Sequence, residues 1–197
     1  HKHRRRQRQM CIRDRINLAL HVTGLQADGY HALDSIVVFT DIFDRLFFKR
    51  SLKNVITLTG EFSKSINVRE NSILQALRLF GNGLTDRFSI NLEKNLPIGA
   101  GLGGGSADAA AVIRFVTNNR KQLMPSSEAL SKIGADIPAC VLSIASRVGG
   151  IGEIVRPLDI SEINLWVVLV NPDIFVSTGS IFEEVTEKHN QPLESFI

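Results

Sequence analysis

Leu96-Pro97-Ile98-Gly99-Ala100-Gly101-Leu102-Gly103-Gly104-Gly105-Ser106-Ala107-Asp108-Ala109-Ala110 is the stretch on which the reading of this chain turns. Five glycines fall within the seven positions from Gly99 to Gly105. Without Cβ atoms such a loop tolerates positive φ and can line a concave surface with backbone N–H groups. The alanine-rich run from Ser106 to Val116 that follows should be helical. The first N–H groups of that helix have no internal partner, and its dipole favours an anion. Loop and helix start together form a cradle for phosphate, with the Ser106 hydroxyl placed to reach a phosphate oxygen or a Mg²⁺ ion. A dinucleotide Gly-x-Gly-x-x-Gly can be forced onto Gly99, Gly101 and Gly104. It lacks the preceding parallel strand and the acid about 20 residues on that such a fold needs. A Walker loop would end in Gly-Lys-Ser/Thr, and no lysine is present here. A flexible surface loop is the plainer alternative, weakened because the segment runs straight into a small-residue helix.

Working outward, Ile16, Leu18, Leu20 and Val22 alternate with Asn17, Ala19 and His21, the period of a half-buried strand. Gly24 to Gly29 signals a turn. Leu33 to Thr40 reads as a second strand, and Arg45 to Lys49 with Val55 to Thr59 as a third and fourth. Asn71 can cap a helix that carries Ile73, Leu74, Leu77 and Phe80 on one face. Phe88, Ile90 and Leu92 alternate again until Pro97. Ser126 or Ser127 caps a helix ending near Ile133 and Gly134. Trp166 to Val170 is expected to be a buried strand, and a short helix is expected from about Thr178, containing Phe182. Strands in runs followed by helices point to an α+β fold.

The 197 residues carry 23 Lys+Arg against 20 Asp+Glu, a formal charge of +3. Apolar residues make up 44% and charged ones 22%, a globular composition and not a disordered one. The charge is uneven. Residues 1–15 carry Lys2, Arg4, Arg5, Arg6, Arg8, Arg13 and Arg15 against Asp14 alone, so the remainder of the chain is net acidic. That basic arm has neither interleaved aromatics nor the apolar core of a secretory signal, and is expected to be disordered or foreign to the protein. No apolar run is long enough to span a membrane. Two cysteines, Cys11 and Cys140, exclude a disulfide scaffold or a zinc site built from four cysteines, and a reducing cytoplasmic location is the default expectation.

Two further segments concentrate functional residue types. Asp28-Gly29-Tyr30-His31 sets the only tyrosine on a turn beside a histidine. That suits stacking on a base and bonding to its edge. A hairpin turn with the tyrosine packed on the core is the reading the residues alone favour. Gly134-Ala135-Asp136-Ile137-Pro138 puts a carboxylate among small residues near a helix end. It is either a general base or a turn former, with the turn preferred on these residues alone. Cys140, in an apolar run, reads as an inert core residue, and the histidines show no metal spacing.

Taken together, these segments resemble the GHMP small-molecule kinases. The loop from Pro97 to Ser106 looks like that family's second motif. The triple glycine, Ile16-Asn17-Leu18, Ala27-Asp28-Gly29-Tyr30-His31 and Gly134 to Pro138 narrow the likeness to the members acting on a cytidine diphosphate-linked methylerythritol. The match runs in order from Ile16 to about Glu184. The resemblance implies a domain like the second domain of ribosomal protein S5 over residues 16–157, holding ATP. It also implies the start of a truncated second domain over residues 158–197. The implied reaction moves the ATP γ-phosphate to the substrate's 2-hydroxyl, with ATP and Mg²⁺ as cofactors, in non-mevalonate isoprenoid synthesis. By position, Pro97, Ile98, Gly99, Ala100, Gly101, Leu102, Gly103, Gly104, Gly105, Ser106 and Ala107 would hold the triphosphate, with Lys94 near the nucleotide and Ser106 as a possible Mg²⁺ contact. Asp136 would take or orient the hydroxyl proton. Asn17, Tyr30, His31, Thr178 and Phe182 would face the cytidylyl substrate, Phe182 opposite the tyrosine.

Two departures from the family pattern stand out. The family has Ala-Pro-Ala-Lys before Ile-Asn-Leu, and here Arg13-Asp14-Arg15 stands there, with Arg15 at the lysine position. Arginine keeps the charge but not the compact ammonium. Relatives are also about a hundred residues longer, by the same resemblance, so this polypeptide is expected to be poorly stable and weak as a kinase. The rival readings are another GHMP kinase, acting on mevalonate, homoserine or a sugar, and a nucleic-acid-binding S5-like module using the basic arm. The acidic body speaks against the second. Deleting residues 1–15 would abolish salt-sensitive RNA binding if that module were right, and a chain that binds no RNA before the deletion rules it out.

Overall fold

The computed structural model describes residues 8–27, 29–65, 72–81, 84, 86–97, 101–120, 122–164, 166–171, 174 and 176–194. The elements in order are β1 (Arg8–Leu25), β2 (His31–Ser51), β3 (Val55–Thr59), α1 (Ser72–Arg78), β4 (Arg87–Glu93), α2 (Gly104–Arg120), α3 (Ser127–Ser131), α4 (Ile137–Leu142), β5 (Ser146–Gly150), β6 (Ile154–Pro157) and α5 (Thr178–Glu183). The expected α+β class is what the fold shows. Among the described residues no helix is long and apolar enough to cross a membrane.

One six-stranded sheet organises the molecule, and β2 is its axis. β1 pairs antiparallel along β2 from Arg8↔Phe48 to Leu25↔His31. The opposite side of β2 is shared: Leu33 to Val37 pair with β5, and Arg45 to Ser51 pair with β4. β3 adds in parallel to β4, and β6 adds antiparallel to β5. α1 and α2 cover one face. Phe48 of β2 stacks on Phe115 of α2 at 3.8 Å between ring centroids, and Phe88 of β4 meets both edge-on. The small side chains Ala107, Ala109, Ala110 and Ala111 are all buried, which lets the start of α2 lie close to the sheet.

Several expectations change. Residues 8–15, expected to be disordered or foreign, form the first half of β1, with Ile12 fully buried in the main core and Asp14 buried beside it. The reason is that β2 is long enough to pair with them. The two strands expected between Leu33 and Lys49 are one, because a register shift opposite Asp14 absorbs the residues between Phe39 and Phe43 without ending the ladder. The buried strand expected at Trp166–Val170 does not form. Trp166 is 100% exposed and Val168 and Val170 are 86% and 88% exposed. The run has a strand's composition, but among the described residues no strand pairs with it. The β5–β6 hairpin was not anticipated. The expected capping residue Asn71 lies outside the described residues, while Ser126 caps α3 by accepting from the Ala129 N–H.

If residues 8–15 are structural, Ile12→Ala should destabilise the chain by about 2–5 kcal/mol in denaturant unfolding, as for other large-to-small core changes. An unchanged unfolding midpoint would return β1 before Ile16 to the status of an arm.

Candidate functional site

The loop between β4 and α2 is set over a charged floor. Lys94, just after β4, is buried with Asp44 of β2, to which its Nζ donates, and with Asp108 of α2 at 3.6 Å. Asp44 also accepts from the backbone N–H groups of Asn95, at 2.6 Å, and Leu96, at 3.2 Å, fixing the chain as it enters the glycine loop. Asp14 of β1 completes the cluster. Burial pushes its carboxyl up to about 7 against the opposing pull of Lys94, with Asp44 adding to the rise. Asp108 is likewise pushed up to about 7 by burial. Burial works against the Lys94 charge, but the three carboxylates outweigh it and raise the ammonium above its ordinary value. Asp14 Oδ1 and Asp108 Oδ1 are buried without a hydrogen-bond partner.

Side chains beneath the loop crowd two of its glycines. A Cβ on Gly104 would stand 2.7 Å from Lys94 Nζ, and one on Gly103 2.9 Å from Arg15 Nε. Gly103 also has φ +74° and Gly101 φ +73°, which side chains rarely adopt. Space around the Gly101 Cβ position is open. α2 begins at Gly104, earlier than expected, and its first internal bond runs from the Ala107 N–H to the Gly103 carbonyl at 3.0 Å. The N–H groups before Ala107 are therefore free of helix partners at a terminus that favours anions. Ser72 at the start of α1 donates to the Gly105 carbonyl at 2.6 Å and steadies the loop's outer side.

Arg15 joins the loop to the candidate base. Its N–H donates to the Leu102 carbonyl at 3.2 Å. Its guanidinium bonds Asn17 Oδ1 at 2.7 Å and pairs with Asp136 Oδ2. Asp14 faces the floor in alternation with Ile12, and the register shift between Arg13 and Arg15 leaves Arg15 beside Gly103. Asp136 stands shortly after the end of α3, as the spacing suggested, and at the start of α4, a helix the sequence did not announce. The residues before it are held by the unanticipated hairpin. Gly152, with φ +117°, lies so close to the Ala135 carbonyl that a Cβ there would be 2.0 Å from it. Gly134, on the other side, leaves its Cβ position 3.2 Å from Ser106 Oγ, so a small space separates that hydroxyl from the Asp136 turn.

Arg15, Asn17, Asp136, Lys94, Leu102, Gly103, Gly104, Ser106 and Ala107 thus fall into one neighbourhood. Ile98, Gly99 and Ala100 lie outside the described residues, as does Asp28. Pro97, Gly101 and Gly105 lie along the same loop and helix start, and Tyr30, His31, Thr178 and Phe182 form a second group. His31 opens β2 and stacks on Phe182 of α5, with centroids 5.1 Å apart and planes at 24°. Its Nε2 is buried without a partner. Tyr30 beside it is 60% exposed. Phe182 thus meets the histidine. Thr178 opens α5 and is exposed. His31 precedes Val37, the strand partner of Asn17, by six positions, so the groups lie roughly 20 Å apart along β2. The carboxylates Asp14, Asp44 and Asp108 escaped the sequence reading. They carry no shared motif and come from three distant segments. Gly149-Gly150-Ile151-Gly152 was a visible sign of the hairpin. Among the described residues no group of three His, Cys, Asp or Glu side chains is disposed to hold a metal ion.

Residues 71–151 match the family model described as the GHMP kinases N terminal domain. The chain is 39% identical over 182 residues to the 4-diphosphocytidyl-2-C-methyl-D-erythritol kinase of Cereibacter sphaeroides, covering 92% of this chain and 64% of the relative. It is 44% identical over 191 residues to the enzyme of that name from Rhizobium johnstonii, covering 92% of this chain and 62% of the relative. The chain therefore spans under two thirds of the length of these curated relatives. A crystal structure of 4-(cytidine 5'-diphospho)-2C-methyl-D-erythritol kinase superposes with a TM-score of 0.62 at 31% identity, covering 77% of this chain and 55% of that one.

The buried carboxyls give a pH dependence. Asp14 holds its proton more tightly in the folded chain than unfolded, so stability falls as pH rises from 3.8 through about 7. Denaturant unfolding across that range should show the decline, and Asp14→Asn should make it shallower, leaving the part that Asp108 contributes. An unaltered slope in the variant would remove Asp14 from the charged floor.

Proposed function

We propose, for a chain that has the GHMP kinase fold, transfer of the γ-phosphate of ATP to the 2-hydroxyl of 4-diphosphocytidyl-2-C-methyl-D-erythritol, a step of non-mevalonate isoprenoid precursor synthesis. The observation that carries this reading is the Arg15–Asp136 pair set against the glycine loop. Phosphoryl transfer asks a protein for positioning and charge stabilisation. Backbone N–H groups from Gly101 to Ser106, at the dipole end of α2, hold the triphosphate. Arg15 places its guanidinium where charge develops during transfer. Asp136 turns from Arg15 to the substrate hydroxyl and orients it or takes its proton. Asn17, bonded to Arg15, fixes that cation's direction. Mg²⁺ would be held by the phosphate oxygens together with the Ser106 hydroxyl, and would neutralise phosphate charge. The floor of Lys94 and its carboxylates holds the loop from beneath.

The second group suits the other end of the same substrate. A nucleoside diphosphate-linked alcohol is long enough to place its hydroxyl at Asp136 and its base near Tyr30, His31 and Phe182. The aromatic faces stack on the base, and His31 Nε2 offers an unsatisfied polar atom for its edge. The ATP-binding body in this reading covers residues 16–157 together with the earlier half of β1, and residues 158–197 begin a second domain.

Tyr30→Ala should weaken binding of the cytidylyl substrate by about tenfold, the size of one base–aromatic stack, with ATP binding intact. Asp136→Asn should lower turnover by about 10²–10⁴-fold with both affinities retained. Phosphorylation of mevalonate, homoserine or a sugar, with Tyr30→Ala silent, would instead support another member of the family.

A further inference from the structure

After α5 the chain returns to the sheet as a strap. Asn190 donates to the Val22 carbonyl from both its backbone N–H and its side-chain amide, each at 3.0 Å. His21 donates from Nδ1 to the Gln191 carbonyl at 2.8 Å. The Leu193 N–H then donates to Asp34 Oδ2 at 2.9 Å, and the Leu193 carbonyl accepts from Arg147 Nη2 at 2.7 Å. Arg147 grips both oxygens of Asp34, at 2.8 and 2.6 Å. Arg147, Asp34 and the Leu193 peptide groups therefore close a ring of charge-assisted bonds. The bond from Arg147 holds the Asp34 carboxyl below its ordinary range although burial opposes it, and the Leu193 N–H adds to the effect.

This ring sits next to the aromatic group. Asp34 is three positions after His31 on β2, and Val22 and His21 lie on the paired stretch of β1. Phe182 precedes Asn190 by eight positions. α5, which carries Phe182, has six residues and none of them buried. So short a helix does not hold itself in place. Its position depends on the stack with His31 and on the strap that follows it.

We propose that the Asp34–Arg147 pair is a positioning device for the base-binding end of the substrate site. It clamps the strap at Leu193 and so keeps Phe182 over His31, setting affinity for the cytidylyl part without touching it. This rests on the cytidylyl reading above.

The test uses the full chain with cytidine 5′-diphosphate and ADP as separate probes in calorimetry, and His31 ring-proton NMR as a direct readout of Phe182. Arg147→Met should weaken cytidine 5′-diphosphate binding by about tenfold, the scale of one lost stack, while ADP binding is unchanged. It should also remove the ring-current shift of His31. Arg147→Lys, which keeps a charge for Asp34, should recover part of both. Asn190→Ala, which loosens the strap elsewhere, should act in the same direction. Where turnover is measured, KM for the cytidylyl substrate should rise with kcat held. An unchanged His31 shift in Arg147→Met, or equal weakening of both probes, overturns the proposal. A wild-type chain that binds ADP but not cytidine 5′-diphosphate overturns the cytidylyl reading instead, and the His31 shift then still decides whether the clamp positions Phe182.

Discussion

Lys94 joins four segments of the chain through charge. Asp14 comes from β1, Asp44 from β2 and Asp108 from α2, and Lys94 itself ends the stretch after β4. Removing one partner from a buried ion pair typically costs 3–5 kcal/mol, because the other charge is left uncompensated. The cluster therefore fixes the distance between sheet and helix at the place where the glycine loop crosses. Gly104 follows from it, since Lys94 occupies the space its side chain would need, while Arg15 does the same at Gly103. The open N–H groups at the start of α2 follow in turn. The loop thus lies over a charged floor, with the Lys94 ammonium closest to Gly104 and the Asp14 carboxyl behind it.

Arg15 shows how the sheet serves that surface. A strand of unbroken register would send Arg15 to the face taken by Arg13. Asp14 shares the buried face of Ile12 by ordinary alternation, and past the shift opposite Thr40 to Ile42 Arg15 reaches Asp136. The β5–β6 hairpin performs the matching task from the other side by holding Ala135. Two irregularities in otherwise regular β-structure bring together residues 121 positions apart in sequence.

Much of this was legible in the sequence. The alternation in Phe88, Ile90 and Leu92, the small residues of α2 and the caps Ser126 and the turn at Gly29 all correspond to observed features. The loop's tight, positive-φ course at Gly101 and Gly103 was legible because backbone geometry is local. The floor beneath it was not legible, because Asp14, Asp44 and Asp108 meet only through tertiary pairing, and a lone aspartate looks the same on a surface. The basic composition of residues 1–15 concealed Ile12 and Asp14, whose burial depends on the length of β2. Trp166 to Val170 misled in the opposite sense, since an apolar run becomes a strand only where a partner edge meets it.

In the proposed function the glycine loop, Arg15 and Asp136 form one nucleotide site. Amide NMR of the full chain during titration with ADP and Mg²⁺ addresses that most directly. The resonances of Gly101, Gly103, Gly104, Gly105, Ser106 and Arg15 should move together in a saturable manner, with those of Tyr30, His31 and Leu193 unaffected. Saturable shifts confined to the aromatic end or to the strap, with the loop silent, would contradict it.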